Sequence, residues 1–247
     1  IKIAQNINTE NGEITITNTN GGIETTDDIT TGNGNITITN VEGGIKLHDY
    51  LNPENELIAK KVETKKGDIT ITNTNGGIDI TSDVMTDEGN IRVSNQTGGS
   101  RGINVNSIIS TLKGFIKFFN KEDGTTLAGN IKSGGGNIDI DNINGGILST
   151  AVIETANGDI TITNKTGGTD TRNTIETDKG DITITNDEDG IKISGDVTNH
   201  KGNISITSNQ YDVNGKGGID IYNLTSTVMT DDGQIDIVNN SGNVNIT

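Results

Sequence analysis

The chain of 247 residues lacks cysteine and tryptophan and has one proline, three phenylalanines and three tyrosines. Without cysteine, neither a disulfide framework nor a thiolate metal site can form. So few aromatic side chains cannot fill a large globular core. Lysine and arginine are also scarce, 18 against 34 acidic residues, and the net charge is −16. This charge disfavours nucleic acid and anionic membrane surfaces as partners. No apolar run approaches the roughly 20 residues of a membrane-spanning helix.

What the chain does contain is one repeated phrase, Gly-x-Ile-x-Ile-x-Asn. We call the first glycine of each phrase the anchor glycine, and these residues are Gly12, Gly34, Gly67, Gly89, Gly114, Gly136, Gly158, Gly180, Gly202 and Gly233. The repeat length is 22 residues, with three longer steps of 33, 25 and 31 residues. A fixed period of this size is typical of a solenoid. It argues against the disorder that low hydrophobicity and high charge would otherwise suggest.

Each repeat contains three short strands separated by turns. In the unit that begins at Gly158, apolar Ile160 and Ile162 alternate with polar residues, which is the pattern of a strand with one buried face. Gly167 and Gly168 then form a turn, since glycine tolerates positive φ. The sequence therefore predicts an all-β fold, a right-handed single-stranded parallel β-helix of about ten coils. We expect residues 1–247 to form one continuous β-helix, a fragment of a longer repetitive protein.

Aliphatic residues at fixed offsets from the anchor glycine predict the interior. Two residues after it stands isoleucine in every unit, and two residues further on stands an isoleucine, a valine or, at Phe118, a phenylalanine. We expect both positions to stack from coil to coil at roughly 4.8 Å. The sixth residue after the anchor glycine is asparagine in nine of the ten units, with Ser208 as the exception. Since stacked amides can bond to one another, we predict a structural asparagine ladder of Asn18, Asn40, Asn73, Asn95, Asn120, Asn142, Asn164, Asn186 and Asn239.

No arrangement of residues in the sequence indicates catalysis. His48 and His200 are expected several coils apart, and acidic pairs such as Asp27-Asp28 fall in turns. We interpret these carboxylates as solvated turn residues rather than as calcium ligands or glycosidase acids. The sequence therefore predicts neither an enzyme nor a metal or cofactor site. Outward Thr-x-Thr pairs raise ice binding as a less favoured alternative, because pairs such as Lys117/Phe119 interrupt the face.

The steps longer than 22 residues predict insertions near residues 47–61, 98–103 and 208–217. Insertions in solenoids protrude from one edge, and binding residues often lie on them. Candidate contact residues in these loops are Tyr50, Leu51, Leu57, Arg101 and Tyr211. The alternative is that the loops are tolerated excursions without a partner, and the sequence does not distinguish the two.

The repeat sequences resemble those in the shafts of filamentous-haemagglutinin-like adhesins, which are exported by two-partner secretion. The resemblance lies in Gly-Asp-Ile-Thr-Ile-Thr-Asn at 180–186 and Gly-Gly-Ile-Asp-Ile at 76–80, and this style covers nearly the whole chain. The family's secretion signature Asn-Pro-Asn-Gly-Ile is absent, which suits an internal shaft segment.

The resemblance implies an extracellular or cell-surface adhesin. Its expected partners are a receptor or glycan on a host or bacterial surface, and an outer-membrane transporter if it is exported by two-partner secretion. Lateral or end-to-end self-association is also compatible with such a shaft. The alternative from another class is a glycan-binding or glycan-cleaving β-helix.

Overall fold

The computed structural model describes residues 1–97, 102–209, 218–222, 227–240 and 242–246. Within these ranges the chain is an all-β parallel solenoid without a helix, so no segment there is a helix long and apolar enough to cross a membrane. Three parallel sheets run along the solenoid axis, and each coil contributes one strand to each sheet. The predicted architecture of about ten coils with three strands per coil is confirmed.

The strands that follow the anchor glycines form sheet 1. Its ten strands are Ile14–Asn18, Ile36–Glu42, Ile69–Asn75, Ile91–Thr97, Ile116–Asn120, Ile138–Asn142, Ile160–Asn164, Ile182–Asn186, Ile204–Ser208 and Ile235–Asn239.

The next strands along the chain form sheet 2. Its eleven strands are Lys2–Ile3, Ile23–Thr25, Ile45–Leu47, Ile78–Ile80, Ile103–Val105, Thr125–Leu127, Ile147–Ser149, Thr169–Thr171, Ile191–Ile193, Gly218–Ile221 and Asn243–Ile246.

Sheet 3 leads back to the next anchor glycine. Its ten strands are Ile7–Thr9, Ile29–Thr31, Lys61–Thr64, Asp83–Thr86, Ile109–Thr111, Ile131–Ser133, Ile153–Thr155, Ile175–Thr177, Val197–Asn199 and Val228–Thr230. A separate antiparallel pair, Tyr50–Leu51 with Leu57–Ile58, lies between sheets 2 and 3.

Equivalent repeat positions lie side by side in neighbouring coils. Ile160 pairs with Ile182, and Asn164 pairs with Asn186. The register also survives a 33-residue step, because Ile38 pairs with Ile71. A slip of one residue would turn the isoleucines outward, so their burial fixes the register.

The core is a set of aliphatic columns along the axis. Ile160 and Ile162 of sheet 1 are 0% exposed, and the third-sheet position Ile153 is also fully buried. Phe118 fills its inward position without exposure, as expected for a core residue. In the last strand of sheet 1, Ile235 is 41% exposed because only one side of that strand is paired.

Candidate functional site

The corner between sheets 1 and 2 contains a continuous column of asparagine amides. Each Nδ2 donates to the Oδ1 of the asparagine in the next coil over seven successive steps, with N–O distances from 2.6 to 3.1 Å. We call these eight residues the amide column: Asn18, Asn40, Asn73, Asn95, Asn120, Asn142, Asn164 and Asn186. All but Asn18 are buried, so the amides satisfy one another where water cannot.

The amide column stops at Ser208. A serine side chain is too short to replace the amide, and within the described ranges the Ser208 hydroxyl has no hydrogen-bond partner. Asn239, the ninth position of the expected ladder, lies one coil beyond Ser208, and its Oδ1 has no partner among the described residues.

A second polar column, which the sequence reasoning missed, lies at the corner between sheets 3 and 1. The Thr177 hydroxyl donates to the carbonyl of Gly158 at 2.9 Å and accepts from the Gly180 N–H at 3.1 Å. Each anchor glycine has a threonine or serine three residues before it, except that Asn199 precedes Gly202. We call this set the hydroxyl column; its members are Thr9, Thr31, Thr64, Thr86, Thr111, Ser133, Thr155, Thr177 and Thr230.

The anchor glycines are required for a reason other than turning the chain. Gly158 does not have positive φ, but a Cβ built on it would lie 2.3 Å from the Gly136 carbonyl oxygen of the preceding coil. A side chain there would therefore overlap backbone. Positive φ occurs instead at the turn glycines, for example 92° at Gly167 and 71° at Gly168, as expected from the sequence.

The insertion at residues 47–61 folds as a short antiparallel hairpin with an apolar tip. Tyr50 pairs with Ile58 and Leu51 with Leu57. These four side chains are 39%, 41%, 56% and 69% exposed, respectively. The structure thus brings together the three predicted contact residues Tyr50, Leu51 and Leu57 on one protrusion.

Polar contacts define the turn and the base of the hairpin. The Asn52 Oδ1 accepts from the backbone N–H groups of Glu54 and Glu56, which closes the turn around Pro53. At the base, the Lys60 ammonium donates to Asp27 Oδ1 of the preceding coil at 2.6 Å. This hydrogen bond lowers the pKa of Asp27 and raises that of Lys60. The hairpin is therefore tied to the solenoid by a half-buried ion pair.

The outward face of sheet 1 carries a charged and aromatic patch near its middle. The Arg92 guanidinium lies over the Phe115 ring, 4.4 Å from its centroid, and also contacts Asp68 at 3.1 Å. A shallow depression of about 420 Å³ adjoins this pair, with Lys117 and Asp139 in its lining. Burial raises the pKa of Asp139, and the nearby Lys117 opposes that rise. The patch interrupts the outward threonine rows.

The two histidines contact different carboxylates at separate places on the solenoid. His48 Nε2 is 3.3 Å from Asp79. His200 contacts two carboxylates, Asp231 through Nδ1 at 2.7 Å and Glu176 through Nε2 at 3.3 Å, and these hydrogen bonds raise its pKa. The sequence reasoning separated the histidines correctly but did not find these carboxylate partners.

Two predicted contact residues, Arg101 and Tyr211, lie outside the described residues, as do most of the insertions near 98–103 and 208–217. Comparison of the chain with protein-family models, curated proteins and solved structures finds no match in any of the three.

Proposed function

We propose that this chain is a structural shaft of a secreted or cell-surface bacterial adhesin. The observation that supports the proposal best is the unbroken coil-to-coil register of sheet 1 over ten strands. Repetition of the same strand pairing from coil to coil suits a spacer, since the described coils share one continuous aliphatic core.

The inner columns supply the stiffness that a shaft needs. Bending the rod would have to break contacts between successive coils in the aliphatic core, in the amide column and in the hydroxyl column at the same time. Each coil contacts mainly its two neighbours, so adding coils lengthens the rod by about 4.8 Å without a new core. Ten such coils give a rod on the order of 50 Å long.

The hairpin provides a contact point on this shaft. Its exposed Leu51 and Leu57 offer an apolar tip of the kind that protein partners cover. A receptor or glycan on a host or bacterial surface, a two-partner-secretion transporter and self-association remain the partners that the proposal implies.

Surface labelling and attachment of bacteria that produce the protein test the proposal. An antibody to this chain should label intact cells. Deletion of residues 158–179, one 22-residue coil, should preserve attachment because the register closes again. Leu51→Ser combined with Leu57→Ser should weaken attachment by about tenfold if the tip is a binding hot spot. Leu112→Ser is the matched control, since Leu112 is 64% exposed outside the hairpin. Labelling only after permeabilisation would exclude a surface shaft.

A second candidate, glycan binding, is favoured by the patch at Arg92 and Phe115. Sugars stack on aromatic rings and accept hydrogen bonds from guanidinium and ammonium groups, and the depression beside Phe115 is open enough to admit a sugar ring. Phe115→Ala should then abolish retention on a glycan array, whereas the Leu51→Ser and Leu57→Ser double variant should leave it unchanged. Equal retention of the unmodified and Phe115→Ala proteins would refute this candidate.

A further inference from the structure

The solenoid register places a histidine between two aspartates at one corner. In sheet 3, Thr177 pairs with Asn199, and Asn199 pairs with Thr230. The residues that follow these three strands, Asp178, His200 and Asp231, therefore occupy equivalent positions in three successive coils.

A fourth residue completes the cluster. Glu176 precedes Asp178 by two residues, and its carboxylate contacts the His200 ring. One donor atom from each of Glu176, Asp178 and His200 lies within 4.8 Å of the other two. The described residues contain no other such group of three ligands.

The distances suit a small divalent ion. Two donors about 2.1 Å from a tetrahedral zinc ion are about 3.4 Å apart. The His200 Nε2 and Glu176 Oε1 atoms are 3.3 Å apart. Asp178 is exposed, so a rotation of its side chain can bring its carboxylate to the same ion.

Asp231 has a different position from the other carboxylates. It contacts Nδ1 of His200 at 2.7 Å, on the side of the ring away from Glu176. A carboxylate on one ring nitrogen fixes the tautomer that leaves the other nitrogen free to bind a metal. In many metal sites the bound histidine donates its other ring N–H to a carboxylate in this way.

We propose that Glu176, Asp178 and His200 bind a divalent transition-metal ion of the zinc type, with Asp231 as a positioning residue. The fourth coordination position is left to water. The ion joins two coils across one corner, so it stabilises the solenoid against local opening there.

Zinc titration of the full 247-residue chain by calorimetry at about pH 8, where the proton competes less, tests the proposal. We expect one saturable site and a rise in the melting temperature with zinc. His200→Ala should abolish this site, and Glu176→Gln should weaken it. Asp231→Asn should lower the affinity by about 10- to 100-fold, the usual effect of removing such a partner.

His48→Ala is the matched control, because among the described residues His48 contacts one carboxylate and belongs to no such group. It should leave the affinity unchanged. Cobalt(II) absorption of the unmodified protein is an independent readout, since coordination by His200 would change the spectrum from that of the aqueous ion. Absence of a saturable zinc site, an aqueous cobalt spectrum, or full binding by the His200→Ala variant would overturn the proposal.

Discussion

The amide column makes a sharp prediction at Asn164, which is 0% exposed. Its Nδ2 donates to Asn186 Oδ1 at 2.6 Å and to the Gly168 carbonyl at 2.8 Å. Its Oδ1 accepts from Asn142 Nδ2 at 2.8 Å. Replacement by alanine removes all three hydrogen bonds and leaves the buried Asn142 Nδ2 without this partner. The Gly168 carbonyl still accepts from the Ile147 N–H. Asn186 Oδ1 still accepts from the Thr169 hydroxyl.

The expected loss of stability follows from these contacts. Each buried polar group left without a partner costs about 1–3 kcal/mol. The two lost hydrogen bonds whose partners keep another contact add about 0.5–1.5 kcal/mol each, so Asn164→Ala should lower the free energy of unfolding by about 2–6 kcal/mol. Guanidinium denaturation followed by far-ultraviolet circular dichroism measures this loss, provided that the transition remains two-state.

Thr163→Ala is the control, because Thr163 precedes Asn164 in the same strand and its side chain points outward. Its loss should stay within about 1 kcal/mol, the range of strand propensities. If Asn164→Ala costs no more than Thr163→Ala, the amide column does not stabilise the solenoid as argued.

Two further predictions concern glycine and charge. Gly136→Ala should lower the free energy of unfolding by about 3 kcal/mol or more, since the added Cβ would lie 2.3 Å from the Gly114 carbonyl oxygen. Gly135→Ala is the control in the same denaturation assay and should cost far less, because the nearest atom to its Cβ is 3.2 Å away. Lys60→Met should cost about 1 kcal/mol near neutral pH. Because the pKa of Asp27 is lowered and that of Lys60 is raised, the difference between unmodified and variant protein should persist from about pH 5 to 9. It should vanish as the pH falls through the lowered pKa of Asp27 or rises through the raised pKa of Lys60, and a difference independent of pH would contradict the ion pair.

The period and the inward residues of this fold are readable from the sequence, because each coil places the same types of residue at the same buried positions. Isoleucines such as Ile160 and Ile162 reveal the buried face through their alternation alone. Asn164 follows at the strand end, where a side chain with both a donor and an acceptor indicates stacking. The turn glycines Gly167 and Gly168 likewise show their role by their pairing.

Other features depend on contacts between coils that a single repeat does not display. Thr177 looks like an ordinary strand residue, although its constant distance of three residues from Gly180 is a usable signal for the hydroxyl column. The steric role of Gly158 appears only when the preceding coil is placed beneath it.

The histidine cluster has a similar signal in the sequence. Asp178, His200 and Asp231 each lie two residues before an anchor glycine, but the sequence reasoning did not use this spacing. The structure shows that the 31-residue step before Gly233 leaves the register intact, because Asn199 pairs with Thr230.

The rigid-rod account is tested most directly by a distance between two spin labels. The chain has no cysteine, so cysteines introduced at Thr17 and Thr207 can be labelled specifically. Both positions are outward in sheet 1 and are separated by eight strand-to-strand steps. Pulsed electron–electron double resonance should give one narrow distance distribution. Eight steps place the two backbone positions about 38 Å apart, and the label linkers shift the measured mean from this value by their own length. A broad distribution, or a mean far from this value, would contradict the account of a stiff, register-matched shaft.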